Sequence, residues 1–402
     1  MESKTKIVSI ILLFSTFMMF VSCGQKQEKV EKIMEDGVEV VLNHLEPYKI
    51  KGEPSHLNLD EELIIDFEKE EFTELGMTDV LGFDVDSDGN IYFLISRSTK
   101  NFIFKFDDNG NFLFSFGRKG QGPGELGLSR YFAVNELDQI VVTDFGRKKL
   151  HVFERNGDLI KEISLASNYR RAGLLRSGKI LAMKESFNKG EGRLEFPIIL
   201  CNEDLEEMKM LHPGKHMPNF TFANKVNGLQ LYIDYNVWKI SRGLIYVGNY
   251  GSGYEFLIYD EEGNLLRKIR KEYQKVKVPD QIKEKIFNWL KNNLTQFEQV
   301  KTKLYFPEFY PSFQFFFLDE RSRLYVMTYE RGKGPNGFMY DIFNPNGVLI
   351  GRIELENYGF LASSPIINPL PLNVVAKNQS LYCLREGENG YKGLVVYKMK
   401  WE

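Results

Sequence analysis

The sequence predicts an all-β fold, a six-bladed β-propeller of four-stranded antiparallel blades. An N-terminal strand is expected to close the ring, and one helical insertion to sit between blades four and five. Three observations lead there. Aromatics make up 14% of the 402 residues, with 32 Phe and 20 Tyr, which suits pleated, half-buried surfaces better than helices. Residues 81–128 read as four short strands, with turns at Asp88-Gly89-Asn90 and Asn109-Gly110-Asn111 between apolar runs. Gly-Asn and Asn-Gly pairs tolerate positive φ and so tie neighbouring strands into hairpins. Finally, this unit recurs. A four-stranded sheet so short cannot bury its own faces, and copies packed beside it can.

The copies follow in order. The second spans strands at 131–134, 140–143, 150–153 and 159–163, with Asn156-Gly157 as its last turn. Ile91, Ile140, Leu244 and Leu324 open the second strands of four copies, and a turn glycine follows each after 19, 17, 19 and 23 residues (Gly110, Gly157, Gly263 and Gly347). Spacing inside a copy is steadier than spacing between copies, as expected when insertions fall in connecting loops. The third copy (173–210) is degenerate, and the fourth, fifth and sixth cover 229–269, 313–353 and 373–397. Pro279-Asp280 opens an amphipathic helix in which Ile282, Ile286, Trp289 and Leu290 share a face, so an insertion at about 279–300 is expected to cap the ring. The sixth copy lacks a fourth strand. The apolar segment 63–67 (LIIDF) can supply it by pairing antiparallel with 394–398 (LVVYK), which would remove the free edges of that sheet.

Ahead of the ring, Lys4 and Lys6 precede an apolar run at 7–21, the form of a secretory signal and too short for a comfortable membrane span. Residues 1–22 are therefore expected to be cleaved, 23–55 to form a tether and lead-in, and 56–402 to form the propeller. Residues 24–36 are polar and rich in Lys and Glu, with a weak helical tendency. Residues up to about Lys51 are expected to be dispensable for the ring. The net charge of −3 gives no reason to expect nucleic acid as a partner, and three cysteines cannot build a disulfide framework.

Phe20-Val21-Ser22-Cys23 resembles the lipobox of bacterial lipoproteins, with Phe20 where Leu is usual. The resemblance implies lipidation of Cys23, attachment to the membrane through that anchor, and an outer-membrane lipoprotein facing the periplasm or the cell surface. The loop FGRKGQGPGE (116–125), followed by Ala133-Val134, by IVVTD (140–144) and by LHVF (150–153), resembles the NHL-repeat and six-bladed β-propeller lipoprotein family of Bacteroidota. Glu125-Leu126 stands where Gln-Phe is common. The resemblance implies the propeller fold, and propellers host many unrelated roles.

No reaction centre is legible. The loop 117–124 is followed by a strand and interrupted by Pro123, so it reads as a tight crossover between blades and not as a phosphate cradle. Asp84-x-Asp86-x-Asp88-Gly89 begins like a calcium loop, but Ile95 occupies the place of the bidentate Glu, and a β-turn is the better reading. His212 and His216 are separated by Pro213 and Gly214, which would break any helix aligning them. Cys201 and Cys383 read as small buried apolar residues. No catalytic residue, metal site or cofactor is expected. Loop position alone nominates Arg97, Lys100, Arg118, Asp144, Arg147, Tyr250 and Arg331 as ligand-binding, since a ring of donors would suit an anionic or polyhydroxylated ligand. The expected function is a non-catalytic, lipid-anchored envelope module that binds a protein, peptide or glycan. The alternative is a metal-dependent lactonase- or lyase-type propeller enzyme with its site in the central channel. That alternative needs polar residues on the innermost strands, where Phe83, Phe132 and Phe313 suggest an apolar lining.

Overall fold

A computed structural model describes residues 30–77, 80–95, 100–165, 169–188, 193–214, 216–218, 228–231, 238–250, 253–334, 337–356, 374–386 and 392–402. Six blades surround a channel. Blade one runs outward as Val80–Val85, Ile91–Ile95, Asn101–Phe106 and Phe112–Arg118. Blade two is Ser129–Val134, Ile140–Asp144, Lys149–Phe153 and Leu159–Ser164. Blade three is Tyr169–Leu174, Ile180–Lys184, Ile198–Cys201 and Glu207–His212. Blade four comprises Trp238–Ser241, Leu244–Gly248, Glu255–Tyr259 and Leu265–Lys271, and blade five Phe315–Leu318, Leu324–Arg331, Gly337–Phe343 and Leu349–Glu356. Blade six joins Val374–Lys377, Ser380–Glu386 and Lys392–Trp401 to the N-terminal strand Leu57–Asp66.

The closure is antiparallel, with Leu63 opposite Val396 and Ile65 opposite Leu394, as the sequence predicts. It is longer than the apolar motif suggests, because residues 57–62 (LNLDEE), mostly polar, extend the pairing until Leu57 lies opposite Trp401. Backbone hydrogen bonding needs no apolar side chain, so composition marks only part of such a strand.

The seams between blades are the core. Phe67, Phe72, Phe93 and Phe106 fill the seam between blades six and one, with edge-to-face ring pairs at 5.1–5.4 Å. Phe256, Phe313, Phe316 and Tyr325 lie in the cluster spanning blades four to six. Strands buried on both faces explain why so many read as unbroken apolar runs; every residue of Ile91–Ile95 is buried.

One device recurs at the turns. An Asp or Asn side-chain oxygen accepts backbone N–H groups two and four residues on: Asp86 from Asp88 and Asn90, Asn135 from Leu137 and Gln139, Asp319 from Arg321 and Arg323. Asp107, Asn202, Asp260 and Asn344 do the same. These are Asx turns, which let a short side chain stand in for a backbone acceptor. The calcium-like spacing at Asp84–Asp88 is one of them.

The N-terminal segment departs from expectation. Glu31–Glu35, expected within a weakly helical tether, is a strand antiparallel to Val38–Asn43, which in turn pairs parallel with the outer strand of blade four. Val40 and Val41 are wholly buried. Asn43 donates to the carbonyls of Gly347 (2.9 Å) and Arg270 (3.1 Å) and accepts from Leu349 N–H (2.8 Å), stitching blade four to blade five. Residues before Lys51 are thus part of the packed body, which corrects the dispensable lead-in. The reason is charge: Glu35 and Glu39 pair with Arg270, Lys268 and Arg267 on an otherwise exposed edge, so a segment that reads as polar can still dock.

The insertion holds the helix Asp280–Asn293, with Ile286 and Leu290 buried against Leu231, Val300 and Leu304 in a cluster of its own. Pro279 takes the N-cap position, where its missing N–H costs nothing. Residues Leu229–Gln230, expected to begin blade four, instead pair with Leu304–Tyr305 beside this helix. A three-stranded sheet of Ser186–Asn188, Arg193–Glu195 and His216–Pro218 is a second addition that no turn signal announces.

Candidate ligand-binding channel

The inner strands of all six blades surround a central cavity of about 490 Å³, within the size range of ligand sites. Its mouth is formed by the turns joining first to second strands, and at the opposite end, its floor, near the starts of the inner strands, it is lined by Tyr131, Arg171 and Trp238. The walls combine Phe83, Phe132, Phe317, Leu174 and Val374 with Asp84, Arg171 and Lys239. This revises the apolar lining expected from Phe83, Phe132 and Phe313. Phe313 precedes the inner strand of blade five and stacks on Tyr250 at 4.3 Å.

The mouth is electrically self-contained. Arg176 meets Glu136 at 2.9 Å, Glu136 also accepts Gly243 N–H (3.0 Å), and Lys377 donates to Val85 O (2.8 Å) with Asp138 3.8 Å away. Asp319 spends both oxygens on its own turn and on Tyr325.

The floor differs. Arg171 is 5% exposed, its guanidinium held between Trp238 and Tyr131 with ring centroids 4.0 and 4.3 Å from Cζ. Such a sandwich stabilises a desolvated cation by roughly 1–2 kcal/mol per ring. Gly173 makes room for it: a Cβ there would lie 2.7 Å from the Trp238 ring, so no other residue lets that indole lie flat across blade three. Nη2 of Arg171 donates to Trp238 O at 3.2 Å, whereas Nε and Nη1 have no partner, nor does Trp238 Nε1. A buried donor without a partner costs about 1–3 kcal/mol, so a native structure that keeps several in one cavity calls for an explanation.

Two further charges face this floor. Asp84 accepts Val85 N–H (2.9 Å) and Val134 N–H (2.8 Å), linking blade one to blade two; burial pushes its pKa up, against the pull of Lys377. Burial and the neighbouring Arg171 bring the Lys239 ammonium down to about 8, with Asp84 opposing. Two cations facing one carboxylate give the floor an excess of positive charge.

The nominated residues that fall among the described ones lie elsewhere, and none of those six lines this cavity. Asp144, Arg147 and Arg118 come together around the glycine-rich loop. Asp144, fully buried, accepts N–H groups from Gly127 (2.5 Å), Leu128 (3.0 Å) and Arg147 (3.1 Å). Arg147 donates to the carbonyls of Gly120 and Gln121, and Arg118 pairs with Glu125. Gly117 (φ +68°) and Gly124 (φ +69°) turn the chain, and Leu126 N–H returns to Arg118 O, which is the interblade crossover the sequence predicts. Lys100 is exposed, and its carbonyl accepts Lys119 N–H. Tyr250 is buried and donates to Gln314 O (3.0 Å), and Arg331 lies over Phe338 at 4.1 Å. Arg97 and Cys23 fall outside the described residues.

Sequence reasoning missed Arg171, Trp238 and Lys239. The signal was present in Tyr169–Leu174 (YRRAGL), where a charged pair interrupts an inner strand, and in Trp238-Lys239. Starting the fourth copy at Leu229 put the latter in the wrong place. The remaining sequence features have structural roles. His212 contacts Asn249 at 3.3 Å and accepts Gly214 N–H, and Cys201 and Cys383 are buried, as the sequence suggests. Among the described residues, no three of His, Cys, Asp and Glu gather as a metal site.

Six four-stranded blades about a lined channel make this a six-bladed β-propeller. A family described as 6-bladed beta-propeller matches residues 84–242, from the inner strand of blade one to that of blade four, so the resemblance read from the sequence holds. Among solved structures, a putative exported protein from Bacteroides fragilis is 12% identical, covering 90% of this chain and 99% of its own, at a TM-score of 0.50. A member of the DUF4221 family from Bacteroides vulgatus is 14% identical over 87% of this chain and 100% of its own, at 0.52. At these identities the likeness concerns the fold alone. A gluconolactonase from Xanthomonas campestris aligns at 10% identity over 87% of this chain and 99% of its own, with a TM-score of 0.38, too slight to bear on chemistry. No curated protein matches the chain.

Proposed function

We propose that this propeller is a non-catalytic binding module of the bacterial envelope, tethered through a lipid on Cys23, that holds a protein, peptide or glycan ligand by a group inserted in the central channel. The observation that carries this reading is the set of unspent donors on Arg171 and Trp238 at the end of a cavity lined by all six blades. A scaffold without a ligand gains nothing from keeping buried donors open. The channel also speaks for binding over lactonase- or lyase-type chemistry, because Asp84 sits apart from the mouth carboxylates Glu136, Asp138, Asp319 and Glu320, and among the described residues no three anionic or imidazole ligands converge as a metal would need. Envelope location draws support from the signal-like N-terminus and from the exported relative in Bacteroides fragilis. Among the described residues no helix is long and apolar enough to cross a membrane.

The test pairs two variants. Cys23→Ser should move the protein from the membrane to the soluble fraction. Ala133→Trp, which fills the channel from blade two, should abolish binding on peptide and glycan arrays while leaving the melting temperature near that of the wild type. Unchanged membrane fractionation would refute the anchor. Array binding that survives the plugged channel, or turnover of a lactone panel with added calcium or zinc, would overturn the channel-binding reading.

A further inference from the structure

We infer that the channel floor is a carboxylate site, and that the ligand is an organic acid inserted carboxylate-first with an apolar or aromatic body along the channel wall. This deepens the proposal that the channel is the ligand site and rests on it. Four observations converge. Arg171 is more than nine-tenths buried and lines the cavity, its Nε–H and Nη1–H have no hydrogen-bond partner, and neither has Trp238 Nε1–H beside it; all three lie just beneath the cavity surface. The guanidinium is clamped between two rings, so its donors are held in place before any ligand arrives and little side-chain entropy remains to be lost on binding. Lys239 adds a second cation, and the one facing carboxylate, Asp84, already accepts two backbone N–H groups, so it does not supply the missing acceptor. Above this polar floor the walls are Phe83, Phe132, Phe317, Leu174 and Val374, which suit an apolar body and not a sugar ring edged with hydroxyls.

The charged mouth does not compete for the anion. Arg176 is paired with Glu136 and Lys377 with Val85 O and Asp138, and the third mouth cation, Arg242, is exposed and shares the mouth with four carboxylates (Glu136, Asp138, Asp319 and Glu320), so the excess positive charge lies at the floor. A planar carboxylate is the anion that best matches a guanidinium, whose N–H groups lie in one plane.

The chemistry also sets a pH signature. The groups facing Lys239 are Arg171 from blade three, Asp84 from blade one, Tyr131 from blade two and Lys377 from blade six, with Glu136, Asp138, Asp319 and Glu320 at the mouth. As pH rises through the free protein's Lys239 value of about 8, the ammonium loses its charge and the anion loses an attraction. Affinity should therefore fall above pH 8 in the wild type and be flat over that range in Lys239→Met.

The experiment is isothermal titration of the full chain with phenylacetate and with its neutral isostere phenylacetamide. Wild-type protein should bind phenylacetate saturably and phenylacetamide at least tenfold more weakly. Arg171→Gln should lose phenylacetate binding by tenfold or more, Arg171→Lys should recover part of it, and melting curves should show both variants folded. Saturable binding of both compounds with equal affinity, unaffected by Arg171→Gln but abolished by Ala133→Trp, would overturn the carboxylate assignment while leaving the channel as the site. Binding that persists in Ala133→Trp would overturn the channel reading itself. Absence of saturable phenylacetate binding by wild-type protein at millimolar concentration would also overturn the carboxylate inference.

Discussion

The glycine-rich loop leading into blade two and the channel floor each hold an arginine, and the two are opposites in how their hydrogen bonds are used. Arg147 gives its guanidinium to Gly120 O and Gln121 O, and Asp144 beside it takes three backbone N–H groups. Both charged groups, Arg147 and Asp144, have partners inside the protein. Arg171 is buried more deeply, yet two of its three nitrogens have none. The conspicuous motif is therefore structural, and the inconspicuous strand carries the open valences. A polar group with nothing to bond is a better pointer to a site than a memorable arrangement of glycines.

If that contrast is right, substitutions at the two places should fail differently. The largest effect on stability is expected from Asp144→Ala, which orphans three backbone donors in a dry site. The loss should be about 3 kcal/mol, read from urea unfolding, with phenylacetate affinity unchanged in the folded fraction. A loss under about 1 kcal/mol would show that the loop does not depend on its buried carboxylate. At the floor, stability and affinity should move in opposite directions with pH. Lys239 is depressed in the fold to about 8, so the unfolded chain binds more protons between about pH 8 and 10.4. The ligand-free protein should gain stability across that window as affinity declines, and Lys239→Met should remove both trends. Near the loop the sign is set by acid. Burial lowers the His151 pKa even though Glu162 Oε1 lies 3.2 Å away, so this histidine is neutral in the fold. Its contribution is fully present above the unfolded value of about 6.5 and is lost as pH falls through the lower folded value. His151→Leu should flatten that acid limb of the urea midpoint. The smallest effect is expected at Arg118, whose pair with Glu125 is solvent-exposed; Arg118→Ala should cost under about 1 kcal/mol.

Much of the fold was legible because propeller blades announce themselves twice, in apolar runs and in turns. Asp107 and Asn111 around Asn109-Gly110, and Asn344 before Asn346-Gly347, place their turns because the side-chain oxygen needs acceptor geometry at a fixed spacing. Ring closure was legible for a different reason: LIIDF had no partner nearby, and the sixth sheet lacked a strand. What stayed hidden were elements stabilised by charge or by backbone alone. Glu31–Glu35 docks through ion pairs to Arg270 and Lys268, a relation between residues more than 230 positions apart that no local pattern encodes. The site was hidden by a related difficulty. Arg171, Trp238 and Tyr131 come from three blades, and their meeting depends on the radius of the ring and on the space left by Gly173.

The clasp in blade six has a kinetic consequence. Leu57–Asp66 must find Lys392–Trp401 across more than 300 intervening residues, which makes it the most distant pairing between blade strands. Loop-closure entropy grows only slowly with length, but pairings of such separation form late, after local hairpins have reduced the search. The five blades whose four strands are contiguous or nearly so can assemble first, leaving an open arc with an unsatisfied sheet edge. A chain crossing a membrane before folding would meet that arc only on the far side, where the last strand arrives and the circle becomes a single cooperative body.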